Sequence, residues 1–271
     1  MAKRKRAAWI GAAWALAAGG CTTLAGLDDG YHLKEGEGGA AGSTGTLSST
    51  SATGSMTGGG GAPPTIADMI DDMEDGDNAI HEAGGRKGYW YSFNDGTEGA
   101  TQTPPAGAGA DPFAMTELAP ARGQSTIGAC TKGSGFAEWG AAIAIDLLYV
   151  EATRMSYDGS AYRGITFWAR NAAGTQDSVK VLISDKSTTA EGGHCDPEAT
   201  EMGCNDNWAD PISLSEQWEQ HVIAFEDMKV GGWGLAPLTS TIDTTAIYSI
   251  RFQVAKDVDF DFCVDDIGFY E

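Results

Sequence analysis

The sequence lacks any run of about 20 apolar residues, the length that a membrane-spanning helix requires. One shorter apolar run, Ala7 to Ala18, follows the four basic residues Lys3 to Arg6 and precedes a Gly-Gly-Cys sequence. This arrangement is typical of a cleaved secretory signal peptide and argues against a permanent anchor there. We therefore expect residues 1–20 to be a signal peptide that is removed on export.

Basic residues are scarce in this chain. It has 17 lysines and arginines against 38 aspartates and glutamates, for a formal net charge of −21 at pH 7. Four of the bases lie in the predicted signal peptide, so the remainder is more acidic still. Nucleic acids and anionic membrane surfaces attract lysine and arginine, and the composition argues against either as a partner. It is compatible with divalent cations, with neutral glycans or simply with solubility.

Recognisable catalytic motifs are missing as well. The four histidines, His32, His81, His194 and His221, are scattered, and none belongs to an HExxH zinc motif. The sequence has neither a G-x-S-x-G turn nor a phosphate-binding loop. The paired carboxylates of a glycosidase cannot be singled out among 38 acids. We expect the protein not to be an enzyme.

Cysteines are few, and their number, five, is odd for an exported protein. The small residues Ala18, Gly19 and Gly20 precede Cys21, which resembles the lipobox of bacterial lipoproteins, although Ala18 occupies the place where leucine is usual. Lipidation of Cys21 would explain the odd cysteine and would leave four that can pair. An ordinary signal peptide followed by an incidental cysteine is the alternative.

The other cysteines are Cys130, Cys195, Cys204 and Cys263, and disulfides persist in exported proteins. Four cysteines allow three connectivities, and sequence alone does not choose between them. Cys195 and Cys204 are the obvious local pair, which would leave Cys130 to join Cys263. The adjacent His194 could instead make the local cysteines part of a zinc site. A second close pair of ligands is missing, however, and the expected export favours the disulfide.

Low-complexity sequence separates Cys21 from the rest of the chain. An acidic stretch is followed by residues 40–64, which are almost entirely glycine, alanine, serine and threonine. Such a composition buries too little apolar surface to offset chain entropy. We expect residues 21–64 to be a lipidated N-terminus and flexible tether, and residues 65–271 to form the folded domain. Thr22 after the cysteine favours the outer membrane or cell surface, under the usual sorting rule of Gram-negative bacteria.

Alternation of apolar and polar residues recurs through the predicted domain. It is clearest in Arg163–Arg170, Val179–Ile183, Tyr248–Val254 and Val258–Asp265. Period-two patterns separated by Gly, Pro, Asp and Asn predict half-buried antiparallel strands. No stretch of the predicted domain shows the pattern of a long amphipathic helix. Two packed sheets are the natural way to bury these faces, so we predict an all-β sandwich.

Four segments together resemble the family 11 and family 30 carbohydrate-binding modules and their galactose-binding-like relatives. They are MIDDMEDGD at 69–77, YDGSAYRGITFWARN at 157–171, EQWEQHVIAFEDMKVGGWG at 216–234 and DFDFCVDDIGFYE at 259–271. They occur in the order that the family shows and span nearly the whole predicted domain. The resemblance implies an all-β, jelly-roll β-sandwich of two antiparallel sheets, with the N- and C-terminal strands adjacent, that binds carbohydrate.

The resemblance also implies a structural calcium ion where the terminal strands meet. The acids at the matching positions are Asp72, Glu74, Asp77, Asp265 and Asp266. Calcium prefers hard oxygen ligands, which carboxylates and backbone carbonyls supply. The alternative is that these acids form a solvated edge of a very acidic protein.

Aromatic side chains are the usual platforms for sugar rings, although most of those in the predicted domain should be core. Trp168 and Arg170 lie on the strand face opposite the apolar positions of RGITFWAR. Tyr91 follows Trp90, so these two side chains point to opposite faces. We predict Tyr91, Trp168 and Arg170 as ligand-binding residues.

Together these features favour a surface-anchored lipoprotein whose non-catalytic jelly-roll domain binds a polysaccharide or glycan. We expect it to be a monomer that contacts the membrane through its lipid anchor alone. A structural or adhesive surface protein that uses the same fold for protein–protein contacts is the alternative. A hydrolase accessory domain that has become catalytic is a third interpretation.

Overall fold

The computed structural model describes residues 62–107, 113–199 and 202–271. Alternating apolar and polar residues pervade these ranges, and such sequences suit sheets that have one buried face. In chain order the strands are β1 (Asp68–Asp71), β2 (Tyr89–Asn94), β3 (Thr101–Thr103), β4 (Thr116–Arg122), β5 (Ser125–Ser134), β6 (Ala141–Asp146), β7 (Leu148–Val150), β8 (Thr153–Met155), β9 (Gly164–Asn171), β10 (Ser178–Asp185), β11 (Trp208–Ser213), β12 (Glu219–Ala224), β13 (Ile247–Val254) and β14 (Phe260–Tyr270). Two 3₁₀ helices, η1 (Ala190–Gly192) and η2 (Thr244–Ala246), complete the regular structure of the described residues.

The strands form two antiparallel sheets, which we name sheet A and sheet B. Sheet A has seven strands, in the order β12-β9-β14-β5-β3, with β1 paired to β14 and β4 paired to β5. Sheet B has five, in the order β11-β10-β13-β6-β2, and β7 and β8 form a separate hairpin. The predicted jelly-roll β-sandwich, with its first and last strands adjacent, is confirmed.

The core lies between the inward faces of the two sheets. Ile165 and Phe167 on β9 of sheet A are fully buried, as are Ile250 and Phe252 on β13 of sheet B. The rings of Phe167 and Phe252 meet edge to face with centroids 5.0 Å apart, so they join the sheets. Burying an isoleucine or phenylalanine side chain contributes about 1.5–3 kcal/mol. The alternation of apolar and polar residues therefore shows which face of each strand is buried in the core.

Two disulfides close long and short loops in this fold. Cys130 on β5 stands directly opposite Cys263 on β14, and the two are bonded. Cys195 and Cys204 form the second disulfide, in the connection between β10 and β11. This is the pairing that the local spacing suggested, and it leaves no thiolate there for a zinc ion. His194 instead lies 3.0 Å from the Ala236 carbonyl oxygen, within hydrogen-bonding distance.

The predicted signal peptide, Cys21 and most of the predicted tether lie outside the described residues. The first strand begins at Asp68, shortly after the predicted domain start at residue 65. Within the described ranges, no helix combines the length and the apolarity that a membrane crossing requires.

Candidate functional site

Aromatic side chains project from the outward face of sheet B along the strand β2. This strand has the sequence YWYSFN, and its Trp90 is fully buried in the core. Successive side chains of a strand point to opposite faces. Tyr89, Tyr91 and Phe93 therefore lie on the outward face, where each is half-buried.

Trp139 and Tyr149 extend this line of rings at its two ends. The Trp139 centroid lies 5.5 Å from that of Phe93, and the Tyr149 centroid lies 4.9 Å from that of Tyr89. Within β2 the centroid distances are 5.8 Å between Phe93 and Tyr91 and 6.1 Å between Tyr91 and Tyr89. We call these five residues the aromatic row; it follows an edge strand of sheet B.

Hydrogen bonds to the backbone hold both ends of the aromatic row. The carboxylate of Asp95, just after β2, accepts hydrogen bonds from the three consecutive N–H groups of residues 138–140, at 2.9–3.0 Å. Burial alone would raise the pKa of Asp95, but these bonds and those from Thr97 outweigh it and lower that pKa. At the other end the Tyr149 N–H donates to the Lys87 carbonyl at 2.8 Å.

An acid–base pair lies beside the aromatic row. Asp146 on β6 is 1% exposed and is the cross-strand neighbour of Tyr89. Arg154 on β8 donates through Nε to Asp146 Oδ1 at 2.8 Å and through Nη2 to the Tyr91 hydroxyl at 3.2 Å. Its Nη1 donates to Glu191 of η1 at 3.0 Å. Arg154 therefore ties the β7–β8 hairpin and η1 to the aromatic row.

The charges at this pair follow from burial and pairing. Burial raises the pKa of Asp146, and the adjacent Arg154 guanidinium opposes that rise. Burial also raises the pKa of Tyr91 to about 12. At neutral pH the row thus offers protonated phenols beside a charged guanidinium, groups that donate hydrogen bonds to a polar ligand.

Beyond the rings, the outward face of sheet B is formed by small and polar side chains. Ala142 and Ala144 on β6 are the cross-strand neighbours of two outward rings of β2. Arg251 and Gln253 on β13 come next in the same register. The Arg251 guanidinium lies over the Phe93 ring, with 5.5 Å between Cζ and the ring centroid. The rings of β2 therefore lie beside a surface of small side chains, on which Arg251 supplies a guanidinium and Gln253 an amide.

The structure separates the three residues that were predicted to bind ligand. Tyr91 belongs to the aromatic row, whereas Trp168 and Arg170 lie on β9, on the outward face of sheet A. There Arg122 lies over the Trp168 ring at 5.0 Å, and Arg170 donates to the Ala119 carbonyl at 2.8 Å. Residues of β4 thus cover this face. The three side chains therefore occupy opposite outer surfaces of the sandwich, and their role in ligand binding stays a prediction.

Four members of the aromatic row are not predicted from the sequence: Tyr89, Phe93, Trp139 and Tyr149. The signal for two of them was present, since the YWYSF sequence places three rings on the face opposite Trp90. Of the other two, Trp139 lies in the connection between β5 and β6 and Tyr149 lies on β7, and no periodic pattern links either of them to β2. Their place in the row depends on tertiary contacts.

The acids predicted to bind calcium fall into two groups. Glu74, Asp265 and Asp266 meet where β5 adjoins β14, and there the Ser125 hydroxyl oxygen lies 3.0 Å from Glu74 and 2.7 Å from Asp265. Glu74 accepts hydrogen bonds from two consecutive N–H groups at the start of β5, at 2.8 and 3.0 Å. Asp265 and Asp266 both pair with Arg122. Arg122 therefore supplies the positive charge beside the two C-terminal acids of the predicted calcium ligands.

The two remaining acids of that set have local partners. Asp77 accepts a hydrogen bond from the Ala79 N–H at 2.7 Å and so stabilises its own turn. Asp72 lies 3.3 Å from the His81 ring nitrogen. Each of the five acids therefore has a partner within the protein, and the calcium site stays a prediction.

In the described part of the chain, Asp71, Asp72 and His81 are the group whose potential metal-ligand atoms lie within 4.8 Å of one another. Asp71 already has structural partners, because its oxygens accept from the Trp90 indole at 2.7 Å and from the Met73 N–H at 3.0 Å. Burial raises the pKa of Asp71 to about 6. This carboxylate is thus accounted for by packing and hydrogen bonding.

No protein-family model and no curated protein matches the chain. Among solved structures, it is similar to the family 11 carbohydrate-binding module of a cellulosomal cellulase of Clostridium thermocellum, at 18% identity and a TM-score of 0.47, with 76% of this chain and 95% of the module covered. A family 11 module from the same organism, in complex with a β-1,3-1,4-mixed-linked tetrasaccharide, is 18% identical with a TM-score of 0.47. That match covers 75% of this chain and 94% of the module. The family 30 module of a cellulosomal cellulase of that organism is 13% identical with a TM-score of 0.39. That match covers 56% of this chain and 79% of the module. These are the families that the sequence segments resemble.

Proposed function

We propose that this protein is a cell-envelope lipoprotein that binds a polysaccharide or glycan, without acting on it, along the aromatic row of sheet B. The observation that carries the proposal is the row itself, in which five rings follow one another at centroid distances of 4.9–6.1 Å. These distances are comparable with the length of one hexose unit. Consecutive sugars of one chain are therefore able to meet consecutive rings.

The chemistry of a sugar suits this surface. A pyranose ring has an apolar C–H face, which stacks on an aromatic ring, and a rim of hydroxyl groups, which needs hydrogen-bond partners. The aromatic row supplies the stacking surfaces. The Tyr89 and Tyr91 hydroxyls, the Arg154–Asp146 pair and the Gln253 amide supply polar groups beside them.

A protein-adhesive surface is the second candidate, and one observation favours it. Three large apolar side chains on loops, Met202, Trp233 and Leu238, are 42–60% exposed. The loops adjoin, because the Leu235 N–H donates to the Gly203 carbonyl at 3.1 Å. Clustered exposed apolar side chains are a usual mark of a protein contact. The two candidate functions use different surfaces, so substitutions separate them.

A glycan array probed with the full-length protein tests the first proposal. We expect binding to at least one polysaccharide and no release of new reducing ends from it on prolonged incubation. A folded protein that binds none of the glycans would contradict glycan binding. Release of reducing ends would contradict the non-catalytic part of the proposal.

Membrane attachment belongs to the same proposal and has its own test. Each buried CH₂ of an acyl chain adds about 0.8 kcal/mol of membrane affinity, and two chains give stable anchoring. We expect Cys21→Ser to move the protein from the membrane fraction of cells to the soluble fraction and to abolish incorporation of labelled fatty acid. Wild-type fractionation of Cys21→Ser would contradict lipid anchoring.

A further inference from the structure

The outward face of sheet B collects positive charge, although the chain as a whole has 38 acids and 17 bases. Arg154 and Arg251 lie against the rings of the aromatic row, and Lys180 on β10 faces the same side. The acids beside them are Asp146, Glu191 and, at the Trp139 end of the row, Asp95, whose carboxylate is bound by three backbone N–H groups. The charges of this face therefore balance, whereas the molecule as a whole is strongly acidic.

Arg154 forms an ion pair with each of the acids Asp146 and Glu191. It pairs with Asp146 at 2.8 Å and with Glu191 at 3.0 Å. The second oxygen of Glu191 is held by the Thr189 hydroxyl. Both carboxylates therefore have Arg154 as their contact partner, and Arg251 acts on them only through space, where its charge lowers the pKa of each.

Arg251 is a cation of this face that has no carboxylate in direct contact with it among the described residues. Its Nε donates to the Ser249 hydroxyl at 3.2 Å, and its guanidinium lies over the Phe93 ring at 5.5 Å. Within the described ranges no carboxylate forms an ion pair with it, and its two terminal nitrogens have no hydrogen-bond acceptor. A half-buried guanidinium has lost part of its hydration. A ligand that brings an anion to this point restores the lost interactions.

Lys180 adds a second positive charge on the same face. It lies between the buried Val179 and Val181, so its side chain points outward, and its cross-strand neighbour is Gln253. Arg251 is two residues from Gln253 on β13, which makes the two cations diagonal neighbours on the sheet. Lys180 is exposed and forms no ion pair within the part of the chain that the structure describes.

We infer that the glycan held by the aromatic row carries carboxylate groups, as a polysaccharide containing uronic acids does. The inference rests on the proposed function and narrows the class of its ligand. A sugar stacked on Phe93 places a carboxylate within reach of Arg251, and a guanidinium binds a carboxylate through two parallel hydrogen bonds. Lys180 meets a carboxylate further along the glycan chain.

Matched oligosaccharides of equal length test the inference with the full-length protein in titration calorimetry. One pair is β-1,4-linked oligoglucose and oligoglucuronate, and the other is oligogalacturonate and its methyl ester. Charge-assisted hydrogen bonds are about twice as strong as neutral ones, so we expect the acidic member of a pair to bind about tenfold more tightly. The preference should shrink at about 0.5 M salt, where charges are strongly screened.

The outcomes separate this inference from the proposed function. Equal or tighter binding of a neutral member overturns the inference and leaves glycan binding intact. Failure to bind any of the four probes overturns the inference, and the array then decides glycan binding by itself.

Substitutions identify the groups that recognise the charge. We expect Arg251→Gln to remove most of the preference for the acidic member and Lys180→Gln to reduce it less. Lys132→Gln removes the same charge from β5 in sheet A and is the control. Lys180 is exposed, so we expect Lys180→Gln to fold. Its binding preference can therefore be measured even where Arg251→Gln fails to fold. A full preference that persists in Lys180→Gln and in a folded Arg251→Gln overturns the assignment.

Discussion

Asp71 illustrates how a single buried carboxylate shapes this fold at the residue scale. It is the last residue of β1, it is fully buried, and its two oxygens link Trp90 of sheet B to the turn at Met73. Burial raises its pKa to about 6, whereas an exposed aspartate has a pKa of about 3.9. Between these values the folded protein holds a proton that the unfolded chain releases.

The raised pKa predicts a pH dependence of stability. A carboxyl group whose pKa rises on folding contributes stability that is fully present below its unfolded pKa, near 4, and is lost as the pH rises through about 6. The free energy of unfolding of the wild type relative to Asp71→Asn should therefore fall by up to about 3 kcal/mol over that range. Urea unfolding at several pH values measures this difference. Glu98→Gln, at an exposed acid that does not act on Asp71, is the control, and a pH-independent difference for Asp71→Asn would contradict the prediction.

At the scale of the elements, the junction of β4, β5 and β14 is held by an arginine. The pairing of β14 with β9 shifts register between Asp265 and Gly268, and Asp266 has a φ of 43°. Arg122, the last residue of β4, donates to Asp265 at 2.7 Å and also pairs with Asp266. One guanidinium thus satisfies the two acids of the bulge.

This geometry predicts that the junction is stable without calcium. We expect EDTA to leave the melting temperature unchanged in differential scanning fluorimetry. Arg122→Met should lower the free energy of unfolding by about 3–5 kcal/mol, because it leaves the buried Asp265 without a counter-charge. Lys132→Met, at an exposed position of β5, is the control. A lower melting temperature on chelation would contradict this expectation and support the calcium prediction.

The two disulfides should differ in what they contribute. In the chain-entropy account the stabilisation grows with the length of the closed loop. The sequence separations are 133 residues for Cys130–Cys263 and 9 for Cys195–Cys204. We expect the double alanine variant of the first pair to lose about 5 kcal/mol of unfolding free energy and that of the second pair about 3 kcal/mol. Urea unfolding measures both, and a larger loss for the short loop would show that the entropy account fails here.

Alternation along the chain was sufficient to predict the strands but not the open face of the sandwich. It correctly placed Phe167 in the core and Trp168 outward, because period two reports the two faces of one strand. Which outward face is covered depends on a partner distant in sequence. Arg122, which precedes Trp168 by 46 residues, lies over that ring, and no local pattern specifies the contact.

On the scale of the whole molecule, charge distribution gives the proposed ligand a direction of approach. A chain with a net charge of −21 repels an acidic polysaccharide over most of its surface. The cations Lys180 and Arg251 make the outward face of sheet B the exception. Opposite local charge fixes the orientation of an encounter more than its final affinity.

The most direct test of the central claim compares two tryptophan variants for binding to the glycan that the array selects. Trp139 ends the aromatic row and contacts Phe93, whereas Trp233 is exposed on a loop of the second candidate surface. With the full-length protein in titration calorimetry, we predict that Trp139→Ala weakens binding about tenfold, since one stacking contact is lost. Trp233→Ala should bind as the wild type does. Unchanged binding by Trp139→Ala, together with loss of binding by Trp233→Ala, would contradict the account and place the function on the loops.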